Sequence, residues 1–274
     1  MTDLSTALTM ASSTDPGMVR SHNEDSLAIE PDIGLAILAD GMGGYNAGEV
    51  ASGIAVALIR EEVRKALADT DPSSAEASPV LRAERVLREQ STLANASIFQ
   101  SSQTQPQYAG MGTTLVSVLF ADNQVSVAHI GDSRLYRLRG GSFEQITRDH
   151  SLLQEQIDSG MISKEDARHS MNKNLVTRAL GVDPEVETEI HSYEVLPGDI
   201  YLLCSDGLSD MIPEAEIHST LDTLKANLQL AADQLVQTAN DYGGRDNVSV
   251  VLVQVNEPFS ADGGWMSRFM SWLK

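Results

Sequence analysis

The chain has 274 residues, 39 acidic against 19 basic, for a formal charge of −20. That balance argues against binding a nucleic-acid backbone or an anionic membrane, and no apolar run reaches the roughly 18 to 20 residues a spanning helix requires. A single cysteine, Cys204, excludes an intramolecular disulfide; with an N-terminus unlike a signal peptide, it fits a reducing, cytoplasmic compartment.

The first notable segment is Arg20-Ser-His-Asn-Glu24-Asp25. A β-type run over 34–39 then ends in Asp40-Gly41-Met42-Gly43-Gly44. Helical periodicity follows over 48–67 and 79–99, separated by a loop at 69–78 rich in Asp, Ser, Ala and Pro. Strand-like runs return at 113–120, 124–130 and 134–138, with Asp122-Asn123 and Arg139-Gly-Gly-Ser142 as turns, so hairpins and antiparallel sheets are expected. Residues 149–181 break the pattern, with short helical pieces at 152–157 and 164–167, and read as an excursion from the sheet. Two further strands, 199–204 and 248–255, flank an amphipathic helix at 227–239. Strands with inserted helices give an α+β class.

Four acids stand beside glycines near the ends of apolar runs: Asp40-Gly41, Gly131-Asp132-Ser-Arg134, Asp206-Gly207-Leu208 and Gly243-Gly-Arg-Asp246-Asn247. Each alone fits a tight turn capped by a carboxylate, but together they form one pattern. A carboxylate at a strand end reaches an ion while a bare glycine backbone lets its carbonyl or a water approach. Oxygen-only ligation selects hard ions such as magnesium or manganese over zinc. A cysteine-dependent phosphatase would need Cys-x5-Arg, yet the sixth residue after Cys204 is Asp210. Zinc or iron phosphoesterases would need clustered histidines, and the six here show no HxH or DxH pair.

The ordered set Arg20…Asn23-Glu24-Asp25, Asp40-Gly-Met-Gly-Gly, Gly112-Thr113-Thr114, Gly131-Asp-Ser-Arg, Thr177-Arg-Ala-Leu-Gly, Asp206-Gly-Leu and Asp246-Asn-Val resembles the metal-dependent serine/threonine phosphatases of the protein phosphatase 2C family, in their compact bacterial form. The resemblance runs over about residues 12–255. It implies a four-layer α-β-β-α sandwich, two antiparallel sheets flanked by helices, with a flap insertion at about 149–181. One catalytic domain over 1–258 and an amphipathic tail over 259–274 follow, the tail docking on the chain itself, a partner or a membrane surface. The implied activity is hydrolysis of phosphoserine and phosphothreonine by a hydroxide bridging two manganese or magnesium ions.

Carried over by motif, Asp40 bridges the ions, Asp206 and Asp246 complete the first, and Glu24 with the carbonyl of Gly41 serves the second. Asp25 supports this shell, and Asp132 with Asp206 holds a weaker third ion. Arg20 grips the phosphate with its planar fork, and Thr113 is the small polar neighbour of the metals. The implied partners are phosphorylated proteins and a cognate kinase, and the implied state is a monomer. A catalytically silent, phosphoprotein-binding member would have lost a metal-site acid, and all are present. One departure concerns the proton donor: where some members carry histidine, this chain has Met42 and Tyr45, leaving a metal-bound water, His22 or His169 for that role. His129 is expected as a packed core histidine and His150 as a hydrogen-bonded loop residue.

Overall fold

The computed structural model describes residues 3–44, 47–69, 78–163, 166 and 175–260. Two antiparallel sheets form its centre. One has the order β1 (Leu8–Asp15), β11 (Val248–Val255), β10 (Ile200–Cys204), β7 (Arg134–Arg139), β8 (Ser142–Gln145). The other runs β2 (Asp25–Glu30), β3 (Leu35–Met42), β5 (Leu115–Ala121), β6 (Gln124–Ile130), β9 (Glu189–Glu194), with β4 (Gly112–Thr113) paired to the end of β3.

The apolar runs of the central strands are continuous because both of their faces are covered. In β3, Leu35, Ile37 and Ala39 pack towards α1 (Ala47–Ala68) and α2 (Pro79–Thr104), while Ala36 and Leu38 pack between the sheets. In β11, Val248, Val250 and Leu252 face α4 (Glu214–Leu224) and α5 (Leu228–Asp241), and Val251, Val253 and Val255 face inwards. Helix, sheet, sheet and helix therefore form four layers with three apolar interfaces, as expected. Cys204 is fully buried on the helix side of β10, and burial pushes its thiol up to about 12, which suits an inert thiol.

The predicted strand 113–120 is interrupted. Gly112 and Thr113 pair with Met42 and Gly41, whereas Leu115–Ala121 pairs further back along β3. At the break, the Thr113 hydroxyl and the Thr114 N–H both donate to the carbonyl of Asp40, at 2.8 and 2.9 Å. The start of the excursion forms α3 (Leu152–Asp158), capped by the Ser151 hydroxyl, which accepts from the N–H of Gln154. The predicted helical piece at 164–167 falls outside the described residues apart from 166, as do Tyr45, His169, loop residues 70–77 and tail residues 261–274.

Candidate metal centre

Alternation along β3 sets the site. Asp40 has the parity of Ala36 and Leu38, so its side chain belongs to the space between the sheets, at one end of it. Asp25 lies opposite Asp40 in the β2–β3 register, and Leu27 and Ile29 of the same parity pack into the same layer. The inter-sheet core thus changes at this end from apolar side chains to carboxylates.

Hydrogen bonds tie four distant segments together there. The Glu24 carbonyl accepts from Gly41 N–H at 3.1 Å, and the Glu24 N–H donates to Asn247 Oδ1 at 2.8 Å. Asn247 Nδ2 donates in turn to the carbonyls of Pro16 and His22. The Ser205 hydroxyl donates to Asp25 Oδ2 at 2.8 Å while accepting from Ser249 N–H. Glycines permit the close approach: a Cβ on Gly41 would lie 2.1 Å from the carbonyl oxygen of Gly48, and one on Gly207 would lie 2.0 Å from that of Asn247. Gly41→Ala should therefore push α1 off the end of β3 and lower stability by about 1–3 kcal/mol, the usual cost of overpacking. Chemical denaturation of the metal-free chain measures this, and an unchanged midpoint would contradict the packing described.

The carboxylates raise one another's pKa. Burial, then repulsion from Asp25, Asp206, Asp132 and Asp246, holds Asp40 well above the usual carboxylate range. Asp206 is held well above it too, by burial and by Asp132, Asp210 and Asp246. Asp25 is only 8% exposed; burial drives it up to about 6, against the pull of the Ser249 and Ser205 hydroxyls. Its Oδ1 is buried without a hydrogen bond of standard geometry among the described residues. Burial and Asp149 raise Asp132 to about 6, and burial also raises Glu24.

Two arginines stand nearby. Arg20, half-exposed, donates from Nη2 to Asp246 Oδ2 at 2.7 Å. Arg134 grips Asp149 through Nε and Nη2. Neither neutralises Asp25 and Asp40. A crowd of anionic oxygens with an unsatisfied buried acceptor fits hard divalent cations. Asp132 and Asp206 also line a groove of about 950 Å³, walled by Leu153 and Ile157 of α3 on one side and by Asp210, Met211 and Glu214 on the other.

Comparison with known proteins identifies the family. The family model for protein phosphatase 2C matches residues 19–245. The chain belongs to the protein phosphatase 2C family. Among its relatives is the serine/threonine phosphatase stp of Listeria welshimeri, 40% identical over 249 residues, covering 89% of this chain and 94% of that protein. Among solved structures, the catalytic domain of the serine/threonine protein phosphatase PstP in complex with two manganese ions is 38% identical, with a TM-score of 0.75 over 91% of this chain and 99% of that one. The serine/threonine phosphatase Stp1 of Staphylococcus aureus gives a TM-score of 0.81 at 32% identity, over 94% and 98% of the two chains. As a phosphatase 2C, the chain is a phosphoprotein hydrolase with an α+β sandwich of the family type.

Within this phosphatase 2C fold, Asp25, Asp40, Asp132, Asp206 and Asp246 lie close enough to raise one another's charge cost, and Glu24 stands by Asp246 with its carbonyl on the Gly41 N–H. Thr113 lies beside Asp40, but its hydroxyl holds the Asp40 backbone rather than facing the carboxylates. Arg20 reaches the cluster at its rim by way of Asp246. Met42 is half-buried at the end of β3, and the His22 side chain is exposed. His129 and His150 are both buried, at 2% and 7% exposure. Sequence reasoning passed over three residues. Asn247 reads only as part of a motif, yet its side-chain amide braces Glu24 and the carbonyls of Pro16 and His22. Ser205 precedes a recognised acid and holds Asp25. Asp210, four residues after Asp206, is one helical turn away, a spacing that offered the available signal.

Proposed function

We propose that this phosphatase hydrolyses phosphoserine and phosphothreonine in proteins with water, not a protein side chain, as nucleophile. The observation that carries the reading is the convergence of buried, mutually repelling carboxylates at one end of the inter-sheet layer. Asp40, Asp206 and Asp246 would hold one manganese or magnesium ion, Asp40, Glu24 and the Gly41 carbonyl a second, and Asp132 with Asp206 a third. Bound there, the ions supply what the chain lacks: they bring a water's pKa towards neutrality and offset the charge of acids and phosphate.

The chain's own groups orient and restrain. Asp25, held by Ser205, sits across from Asp40 and can accept a proton. Arg20 has one described hydrogen bond, from Nη2, and its half-exposed guanidinium stands where a phosphate entering the cluster would pass. The single catalytic unit of residues 1–258 with its flap at about 149–181, action as a cytoplasmic monomer and opposition to a serine/threonine kinase complete the proposal on the strength of the family resemblance.

The test is turnover of p-nitrophenyl phosphate and of a phosphothreonine peptide by the purified chain during a manganese titration. Hydrolysis should appear with manganese, vanish with a chelator and return on re-addition. Absence of turnover at every manganese and magnesium concentration would refute the proposal.

A further inference from the structure

His129 of β6, His150 after β8 and Glu189 of β9 bring three ligand-type atoms within 4.8 Å of one another, apart from the carboxylate cluster. The hydrogen bonds decide what this trio is. The Gly131 N–H donates to His150 Nδ1 at 3.1 Å, so a neutral His150 carries its proton on Nε2. Nε2 lies 3.3 Å from Glu189 Oε1 without the alignment of a hydrogen bond. His129 Nε2 lies 3.0 Å from the carbonyl of Ser133, which can only accept, so its proton is on Nε2 and Nδ1 is a bare acceptor. A metal on His150 Nε2 would have to displace the proton that the Gly131 contact places there. The Gly131 contact therefore sets the rotation of the His150 ring, whose centroid is 4.8 Å from that of His129.

We propose that His150 is a positioning residue that sets Asp132 for its ion and ties that acid to the base of the flap; this rests on the reading of Asp132 as a metal ligand. His150 holds Gly131 at two points, donating its N–H to the Gly131 carbonyl at 2.8 Å and accepting the Gly131 N–H on Nδ1. Gly131 needs such a hold. Its φ of +103° is open to glycine alone without strain, and it has no side chain to anchor the turn that presents Asp132. A Cβ could not be added, because it would meet Thr114 at 2.7 Å. On its other side, the His150 carbonyl accepts from Thr177 N–H at 2.8 Å, Ser151 bridges Val176, and Leu152 N–H donates to the Leu175 carbonyl at 2.9 Å. The two described ends of the excursion therefore close on the residue that grips Gly131.

Two variants separate this role from general packing. In His150→Asn the amide oxygen takes the place of Nδ1 and keeps the Gly131 contact; in His150→Gln the amide reaches only to the place of Nε2. Manganese is titrated into each metal-free protein, and the free ion is counted by its electron paramagnetic resonance signal. Wild type should bind three ions, the third most weakly. His150→Gln should weaken that third class about 10–100-fold, the usual effect of losing a group that orients a ligand, and leave the two tighter classes unchanged. His150→Asn should stay within about threefold of wild type. Equal binding in His150→Gln and wild type overturns the proposal, as does an Asn variant as weak as the Gln variant, or equal weakening of all classes. Binding of only two ions by wild type sinks the reading of Asp132 and this inference with it, while leaving the two-ion site intact. On wild type itself, a magnesium titration followed by nitrogen NMR should move the Gly131 amide and the His150 imidazole together in the weakest phase. Stationary signals there would overturn the clamp even if the Gln variant did not fold.

Discussion

Asp40→Asn should lower kcat for p-nitrophenyl phosphate at saturating manganese by at least about a thousandfold, a loss of about 4 kcal/mol in transition-state stabilisation. The metal-free variant should nevertheless be as stable as its parent or more so. Both halves follow from the same surroundings. The backbone of Asp40 is held independently of its carboxylate, by the Thr114 hydroxyl on its N–H and by Thr113 and Thr114 on its carbonyl. An isosteric amide therefore keeps the strand end in place. It also removes one of the charges that repel Asp25, Asp206 and Asp132, which raise the Asp40 carboxyl well above its usual range. What it removes from function is the acid proposed to serve two ions at once. Steady-state kinetics alongside thermal unfolding in chelator separates the two effects. A loss under tenfold would contradict the bridging role, and a large fall in melting temperature would show that Asp40 is structural instead.

Which strands the sequence revealed follows their place in the sheets. Runs 34–39, 124–130, 134–138, 199–204 and 248–255, together with 113–120, correspond to β3, β6, β7, β10, β11 and the β4–β5 pair, all interior to the sheet orders or attached to an interior strand. The unrecognised β1, β2, β8 and β9 are the four sheet edges. Most interior strands bury both faces and read as apolar runs, whereas neither Glu189–Glu194 nor Ser142–Gln145 has a buried residue. The missed edges matter for the site, since β2 begins at Asp25. The acids themselves were legible because glycine beside a strand-end aspartate is a local signal. The braces were not: Asn247 to His22 and Ser205 to Asp25 join residues more than 150 positions apart, and nothing local marks them.

The same buried acids should give the metal-free chain an inverted pH profile. Asp25 and Asp132 rise from an ordinary 3.8 to about 6 on folding, which means that the folded state prefers them protonated. A raised carboxylate contributes stability that is complete below pH 4 and is lost as pH climbs through 6. His129 has the opposite sign. Burial lowers it from 6.5 to about 4, so its contribution is complete above 6.5 and is lost as pH falls towards 4. The two effects oppose each other between pH 4 and 6. Above 6.5 His129 adds nothing further, so the remaining ionisation of Asp25 and Asp132 acts unopposed, and Asp40 and Asp206 are shifted in the same direction. In chelator, the melting temperature should therefore fall between pH 6 and 8. Manganese reverses the slope because it binds the ionised acids and competes with their protons. At a hundred times its dissociation constant, each ion adds about 2.7 kcal/mol, so the gap between the melting temperatures with and without manganese should widen steadily from pH 5.5 to 8. Scanning calorimetry in non-chelating buffers measures both curves. A metal-free melting temperature that rises from pH 6 to 8, or a manganese gap indifferent to pH, would mean that the cluster does not hold its acids against ionisation.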